Sequence, residues 1–270
     1  MYELELNSVF EKHFRGKDPF EAAFELTGES FRKVKSRHTF RIELVGKGYF
    51  VKLHRGIGLG EYFKNLFQFK KPVTGADQEF HALRHLEGCG VRSMTSAAYG
   101  CRGVFAPFRT SFLITEELTD TVSLEDYTRS WIEAGCAPFR IRRRLIRELG
   151  DMAGKMHRSG LNHRDCYICH FLLKKGTELT EEVHLHVIDL HRAQIRDEVP
   201  YHYWVKDVAG LYFSAMDLPL SKYDLGCFLK AYFGKKRLKE ILQENESFLK
   251  DVQKTAVRLY EKEQRKRNKK

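Results

Sequence analysis

The chain has 270 residues, 42% of them hydrophobic, enough for a substantial core in one two-lobed domain or two small ones. Its 47 basic and 36 acidic side chains give a net charge of +11, which favours an anionic partner without choosing among phosphates, nucleic acid, an acidic protein and a lipid surface. Six cysteines in so long a chain do not amount to a disulfide scaffold, and no apolar run approaches the length that crosses a bilayer. The start, Met1-Tyr2-Glu3-Leu4-Glu5-Leu6, is acidic and lacks the basic and apolar regions of a signal peptide, so a cytosolic location is expected, with peripheral membrane contact open.

Residues 1–30 read as a helical lead-in. From 31 to 53 the chain alternates in short runs. Phe40, Ile42 and Leu44 face one way, Gly46-Lys47-Gly48 turns the chain, and Tyr49-Phe50-Val51-Lys52-Leu53 returns, the pattern of an antiparallel meander. The first turn, Ser36-Arg37-His38-Thr39, has no glycine but offers phosphate donors on Ser36, Arg37 and Thr39. Lys52 interrupts an apolar strand, and either an edge lysine facing water or a buried ammonium with a partner fits that position. Residues 57–71 set Tyr62, Phe63, Phe67 and Phe69 among Lys64, Lys70 and Lys71, which suits a helix docked on its own core or one lying on an anionic membrane. The next helix, over 75–86, carries Ala76, Phe80, Leu83 and Leu86 as one stripe, with Glu79 on its border pointing inward as the natural partner of Lys52. Further strands occupy 90–115, and Glu116-Glu117-Leu118 follows as a hinge or a plain loop.

Ser123 caps a helix over 124–133, and Pro138 opens a long helix reaching His157. Ile141, Leu145, Leu149, Met152 and Met156 form its buried stripe. Arg140, Arg142, Arg143, Arg144 and Arg147 crowd its first half as a solvated face or a docking patch for an acidic partner or lipid phosphates. Gly160 closes the helix and delivers the chain into Leu161-Asn162-His163-Arg164-Asp165. His163-Arg164-Asp165 resembles the H-R-D of the protein-kinase catalytic loop, whose Asp accepts or orients the proton of the attacking hydroxyl, and His170 stands where that pattern expects a metal-binding Asn. Val183, Leu185 and Val187 alternate towards Asp189, as in a strand that presents a carboxylate at its end. Cys166-Tyr167-Ile168-Cys169-His170 also has the letters of a c-type haem attachment site, but the start of the chain does not suit export, and zinc would need a second ligand pair. A helix around Asp207 follows within few residues, without the peptide-binding platform or A-P-E motif of a protein kinase, and Asp207 resembles the buried aspartate that supports the catalytic loop. The basic run 262–270 ends the chain as a solvated tail or an added membrane attraction.

Lys52, Glu79, Asp165, His170 and Asp189 thus occur in the chain order of the eukaryotic-type kinase fold. The expected architecture is α+β and protein-kinase-like, with a small antiparallel-sheet N-lobe over 1–118 and a mainly helical C-lobe over 119–270. The whole-chain pattern is similar to the lipopolysaccharide core heptose kinases, specifically those acting on the first inner-core heptose. That resemblance implies ATP as donor, magnesium, and a lipid A-linked sugar as acceptor, with action on the cytoplasmic face of a Gram-negative inner membrane. An acidic protein such as acyl carrier protein is a candidate partner, and no nucleic-acid motif accompanies the charge. By motif, Asp165 would be the base, Lys52 would hold the α- and β-phosphates and Glu79 would orient Lys52. Ser36 and Arg37 would face phosphate, Glu116 and Leu118 the adenine, and Asp189 and His170 the metal. Magnesium prefers oxygen to imidazole, so a phosphate hydrogen bond is the alternative for His170. Other readings are a kinase for the neighbouring keto-sugar acid (Kdo), a small-molecule phosphotransferase such as an aminoglycoside kinase, a silent kinase fold that binds an anionic partner, and a basic nucleic-acid binder.

Overall fold

The computed structural model describes residues 2–34, 36–56, 75–105, 108–234 and 237–268. The aromatic and lysine-rich stretch 57–71 lies outside the described residues. The fold is α+β, and the chain divides into two compact units, Met1–Arg84 with Met94–Leu118, and His85–Ser93 with Thr119–Lys270.

The first unit is built on a six-stranded antiparallel sheet. Its strands are β1 (Tyr2–Leu6), β2 (Glu29–Val34), β3 (Arg37–Leu44), β4 (Lys47–His54), β5 (Ser96–Arg102) and β6 (Thr110–Glu116), in the spatial order β1-β5-β6-β4-β3-β2. The expected meander is β2 to β4, but the reversal between β3 and β4 lies one residue earlier than glycine content suggests. Leu44 pairs with Lys47, and the two turning residues are Val45 (φ 53°) and Gly46 (φ 70°). Two consecutive positive φ values make the tight turn whose twist matches its strands, and Val45 bears the unfavourable backbone that a β-branched residue has there.

The helical lead-in expected for 1–30 is only partly helical. Tyr2–Leu6 pairs with β5 as an edge strand, and the Tyr99 hydroxyl donates to the Glu3 carboxylate at 2.8 Å. The apolar period of two in Tyr2, Leu4 and Leu6 is what a strand requires. Two short helices follow. In α1 (Ser8–His13) the Asn7 side chain accepts from Val9 N and Phe10 N, and in α2 (Pro19–Glu25) Asp18 accepts from Phe20 N and Glu21 N, with Pro19 in the first turn. These caps aim Phe10, Phe14 and Phe20 at the sheet residues Phe40, Tyr49, Val51, Phe112 and Ile114, which form one buried cluster. Phe10 meets Tyr49 edge-on at 5.1 Å and Phe20 meets Phe112 at 5.3 Å. Each buried aromatic contributes roughly 1.5–3 kcal/mol, so the cluster anchors the sheet from which Lys52 projects.

Helix α3 (Asp77–Gly88) has its expected apolar stripe, with Ala76, Phe80, Leu83 and Leu86 buried. Phe80 stacks on Tyr99 with ring centroids 3.8 Å apart, which fixes the rotation of the helix and turns Glu79 inward.

The second unit is mainly helical: α4 (Leu124–Ala134), α5 (Phe139–Arg158), α6 (Tyr201–Ser214), α7 (Lys222–Phe233), α8 (Leu238–Glu244) and α9 (Glu246–Arg267). Ser123 Oγ accepts from Asp126 N at 3.0 Å to cap α4. Arg142, one of the clustered arginines of α5, is tied to Asp224 at 3.1 Å and to the Ala137 carbonyl, whereas Arg140, Arg143 and Arg147 are exposed. Small ladders join β7 (Thr121–Ser123), β9 (Phe171–Lys174) and β10 (Leu185–Val187), and pair β8 (Leu161–Asn162) with β11 (Gln194–Ile195). The basic run near the end is not a separate tail: α9 extends to Arg267, with Arg265 near Glu261 and Lys266 near Glu263 on the same helix. Among the described residues no helix is long and apolar enough to cross a membrane.

Candidate active site

In the first unit, alternation along β4 sends Lys52 to the face opposite the buried Val51 and Leu53. Its Nζ lies 2.5 Å from Glu79 Oε1, with the lysine side chain 19% exposed and the glutamate 2%. A carboxylate so buried would be costly alone, and the ammonium satisfies it. We expect Glu79→Ala to destabilise the protein by about 3 kcal/mol, because it leaves a largely buried ammonium unpaired. Combining Lys52→Met with Glu79→Leu should recover much of that loss in urea unfolding, and simply additive losses would contradict the pairing.

Ser36 and Arg37 stand half-buried where β2 turns into β3, and the Ser36 carbonyl accepts from Arg55 N at 2.9 Å. The Glu116 N–H donates to the Thr95 carbonyl at 2.9 Å and its carboxylate pairs with Lys47 at 2.6 Å. Glu117 donates from its N–H to Gly48 and accepts from Arg41 at 2.7–2.9 Å. The Glu116 N–H is therefore spent on the fold.

In the second unit, α5 leads directly to the catalytic-type loop. Gly160 has φ +84°, and a Cβ there would lie 1.8 Å from the Arg196 carbonyl oxygen, so both backbone and space demand glycine. The next residues pair with β11, and then the backbone N–H groups of His163 and Arg164 donate to the Asp207 carboxylate at 2.6 and 2.8 Å. Asp207 is 1% exposed and sits on α6. Its two bonds hold Arg164 at φ +74°, a left-handed conformation unfavourable for a residue with a side chain. One turn further along α6, a Cβ at Gly210 would approach the Cys166 carbonyl to 2.5 Å, so glycine lets the loop pack against the helix.

His163 is fully buried, its Nε2 donates to the Ile188 carbonyl at 2.9 Å, and burial pushes its pKa down, leaving the ring neutral. The His170 ring stacks parallel to it at 5.6 Å. His170 Nδ1 donates to the Asp165 carbonyl at 2.7 Å, and its Nε2 is 3.6 Å from Asp189 Oδ2. Its pKa is pushed up to about 9, first by a hydrogen bond with Cys169 and then by the Asp165 carbonyl, against the effect of burial. With Nδ1 bonded to the Asp165 carbonyl and Nε2 turned towards Asp189, His170 is placed to donate to oxygen. Asp189 adopts a left-handed conformation (φ +62°) and accepts from His191 Nδ1 at 2.5 Å. Burial raises the Cys166 thiol well above its usual range, which opposes the thiolate that haem chemistry or zinc would exploit.

Residues 21–232 match the model of the lipopolysaccharide kinase (Kdo/WaaP) family. The chain belongs to this family. It is 47% identical over 263 residues to the lipopolysaccharide core heptose(I) kinase WaaP of Pseudomonas aeruginosa, covering 97% of both chains. It is 45% identical over 266 residues to the Escherichia coli protein of the same name, covering 97% of this chain and 99% of that one. A solved structure described as WaaP in complex with acyl carrier protein superposes with a TM-score of 0.82 at 42% identity, covering 96% of this chain and 99% of the other.

In this Kdo/WaaP-family kinase, two cations that no sequence motif marks lie near Asp165. Arg192 Nη1 donates to both Asp165 carboxylate oxygens at 3.1 and 2.9 Å, and Lys206 Nζ donates to the Arg164 carbonyl at 2.6 Å. Lys206 immediately precedes Asp207 on α6, and Arg192 follows Asp189 by three residues. Only the second spacing is a usable signal, since one short helical turn (Leu190–Arg192) carries the chain from the Asp189 carboxylate to the arginine. Among the described residues no three His, Cys, Asp or Glu side chains converge as a metal cage, so a divalent ion here would rely on Asp189, water and substrate oxygens, as magnesium commonly does.

Proposed function

We propose that this kinase transfers the γ-phosphoryl group of ATP to a heptose hydroxyl in the inner core of lipopolysaccharide. The observation that carries the proposal is near-full-length identity of 45–47% to heptose(I) kinases, in a chain whose Asp165 loop is fastened through two backbone N–H groups to buried Asp207. Asp165 takes the proton of the acceptor hydroxyl, and Asp207 keeps the loop in the left-handed turn that presents it. Neutral His163 bonds the Ile188 carbonyl beside Asp189, and cationic His170 donates to the main chain of the base. Lys52, oriented by Glu79, binds the nonbridging phosphate oxygens, with Ser36 and Arg37 as further phosphate donors. Glu116 and Leu118 would supply main-chain recognition of adenine. Asp189 offers an oxygen ligand that suits magnesium, which when bound would neutralise phosphate charge and align the transferred group. Alignment and charge stabilisation supply most of the rate enhancement of phosphoryl transfer.

Cells that lack this gene should yield core oligosaccharide missing one phosphate on heptose by mass spectrometry, and expression of the chain should restore it. Unchanged heptose phosphate, with phosphate lost from the keto-sugar acid instead, would favour a Kdo kinase.

The enzyme works on the cytoplasmic face of the inner membrane in this scheme, attached peripherally. Its excess positive charge and the exposed Arg140, Arg143 and Arg147 support attraction to an anionic surface. The similar solved complex with acyl carrier protein supports an acidic carrier protein as a partner of this chain as well. Each basic side chain near an anionic surface contributes roughly 1 kcal/mol, an attraction that fades with salt. Binding to vesicles containing phosphatidylglycerol should therefore fall steeply as salt rises, while ATP affinity changes much less. Salt-independent vesicle binding would contradict the electrostatic attachment.

A further inference from the structure

The cation on the proposed base has a use beyond fixing the fold. Arg192 reaches both oxygens of Asp165 through Nη1 alone, and among the described residues its remaining guanidinium donors have no partner. The pair is open to solvent, with the arginine side chain 42% exposed and the aspartate 21%, and exposed pairs of this kind add little to stability. Other cations around the loop are committed elsewhere. Arg164 and Arg196 lie over the Tyr203 ring at 5.3 and 5.1 Å, and Arg196 also donates to Asn162 at 2.8 Å. Lys206 is half-buried and bonded to the Arg164 carbonyl. The segment 165–170 itself contains no lysine or arginine. Arg192 is thus the partly exposed cation beside the Asp165 carboxylate, carried on the turn that begins at Asp189.

We propose that Arg192 is a catalytic arginine that holds Asp165 in the resting enzyme and binds the transferring phosphoryl group during the reaction. The inference rests on the kinase reading given above. The acceptor hydroxyl gives its proton to an Asp165 oxygen as its own oxygen bonds to the γ-phosphorus. The bond from that phosphorus to the bridging oxygen breaks, and its electron pair leaves with ADP. Proton transfer neutralises the carboxylate and so weakens its hold on the guanidinium. At the same stage, negative charge on the equatorial phosphoryl oxygens offers the guanidinium a stronger planar partner. A contact that strengthens only in the transition state raises turnover without tightening substrate binding.

The test compares wild type with Arg192→Gln, Arg192→Lys and Arg192→Ala in steady-state transfer from ATP, together with binding of ADP alone and of ADP with aluminium fluoride, a mimic of the transferring phosphoryl group. Arg192→Gln is expected to lower kcat on the order of 10²-fold with KM for ATP and affinity for ADP nearly unchanged, and to lose the extra affinity conferred by aluminium fluoride. Arg192→Lys should recover part of kcat, and added guanidinium should rescue Arg192→Ala. A kcat for Arg192→Gln within about threefold of wild type would overturn the proposal. So would undiminished binding of ADP with aluminium fluoride, or loss of kcat that neither lysine nor guanidinium restores. Absence of transfer by wild type would instead remove the underlying kinase reading, so the two failures are distinguishable.

Discussion

Replacing Asp165 by Asn should cut phosphoryl transfer on the order of 10²–10⁴-fold while leaving a folded protein that still binds ATP. Asn keeps the size and hydrogen-bonding shape of the side chain but cannot take a proton from the acceptor. The carboxylate contributes little to folding, since its side-chain partner among the described residues is the partly exposed Arg192, and the loop is held through the main chain of His163 and Arg164. Thermal unfolding and ATP binding measured beside turnover separate the chemical defect from a structural one. Turnover near wild type in folded Asp165→Asn would remove Asp165 from its role as base.

Asp207→Ala should damage both stability and turnover. The substitution strips the acceptor from two backbone N–H groups, and each buried donor left unpaired costs about 1–3 kcal/mol. It also releases the constraint that keeps Arg164 at φ +74°, so Asp165 loses its fixed direction. We expect a loss of about 2–6 kcal/mol in urea unfolding, faster hydrogen exchange at the His163 and Arg164 amides, and a fall in kcat approaching that of Asp165→Asn. Unchanged exchange at those two amides would contradict the role assigned to Asp207.

The main lines of the fold and of its charged pairs were legible because they rest on local periodicity and on charges in unusual places. Lys52 within an apolar strand and Glu79 on the border of an apolar stripe are each improbable alone, and their 2.5 Å contact accounts for both. The edge strand Tyr2–Leu6 was mistaken for helix although its alternation was visible, because β pairing depends on β5, far away in sequence. The turn at Val45 was obscured by the two glycines that flank Lys47, since turn chemistry favours Gly over a β-branched residue at positive φ. His170 could not be read from position alone. Its protonation depends on Cys169, the Asp165 carbonyl and burial, all set by how the loop folds back on itself. Arg192 was hidden for a similar reason, because an arginine in a short turn is ordinary until the turn brings it to the carboxylate.

Transfer of phosphate to a defined acceptor is the most direct measurement. Purified protein would be incubated with ATP, magnesium and lipid A-linked core whose inner heptose lacks phosphate, and the product mapped by phosphorus–proton correlation in NMR. One new phosphoryl group on the heptose, absent with Asp165→Asn, is the expected result. Folded, ATP-binding wild-type protein that leaves the heptose unmodified, or that places phosphate on the keto-sugar acid, would contradict it.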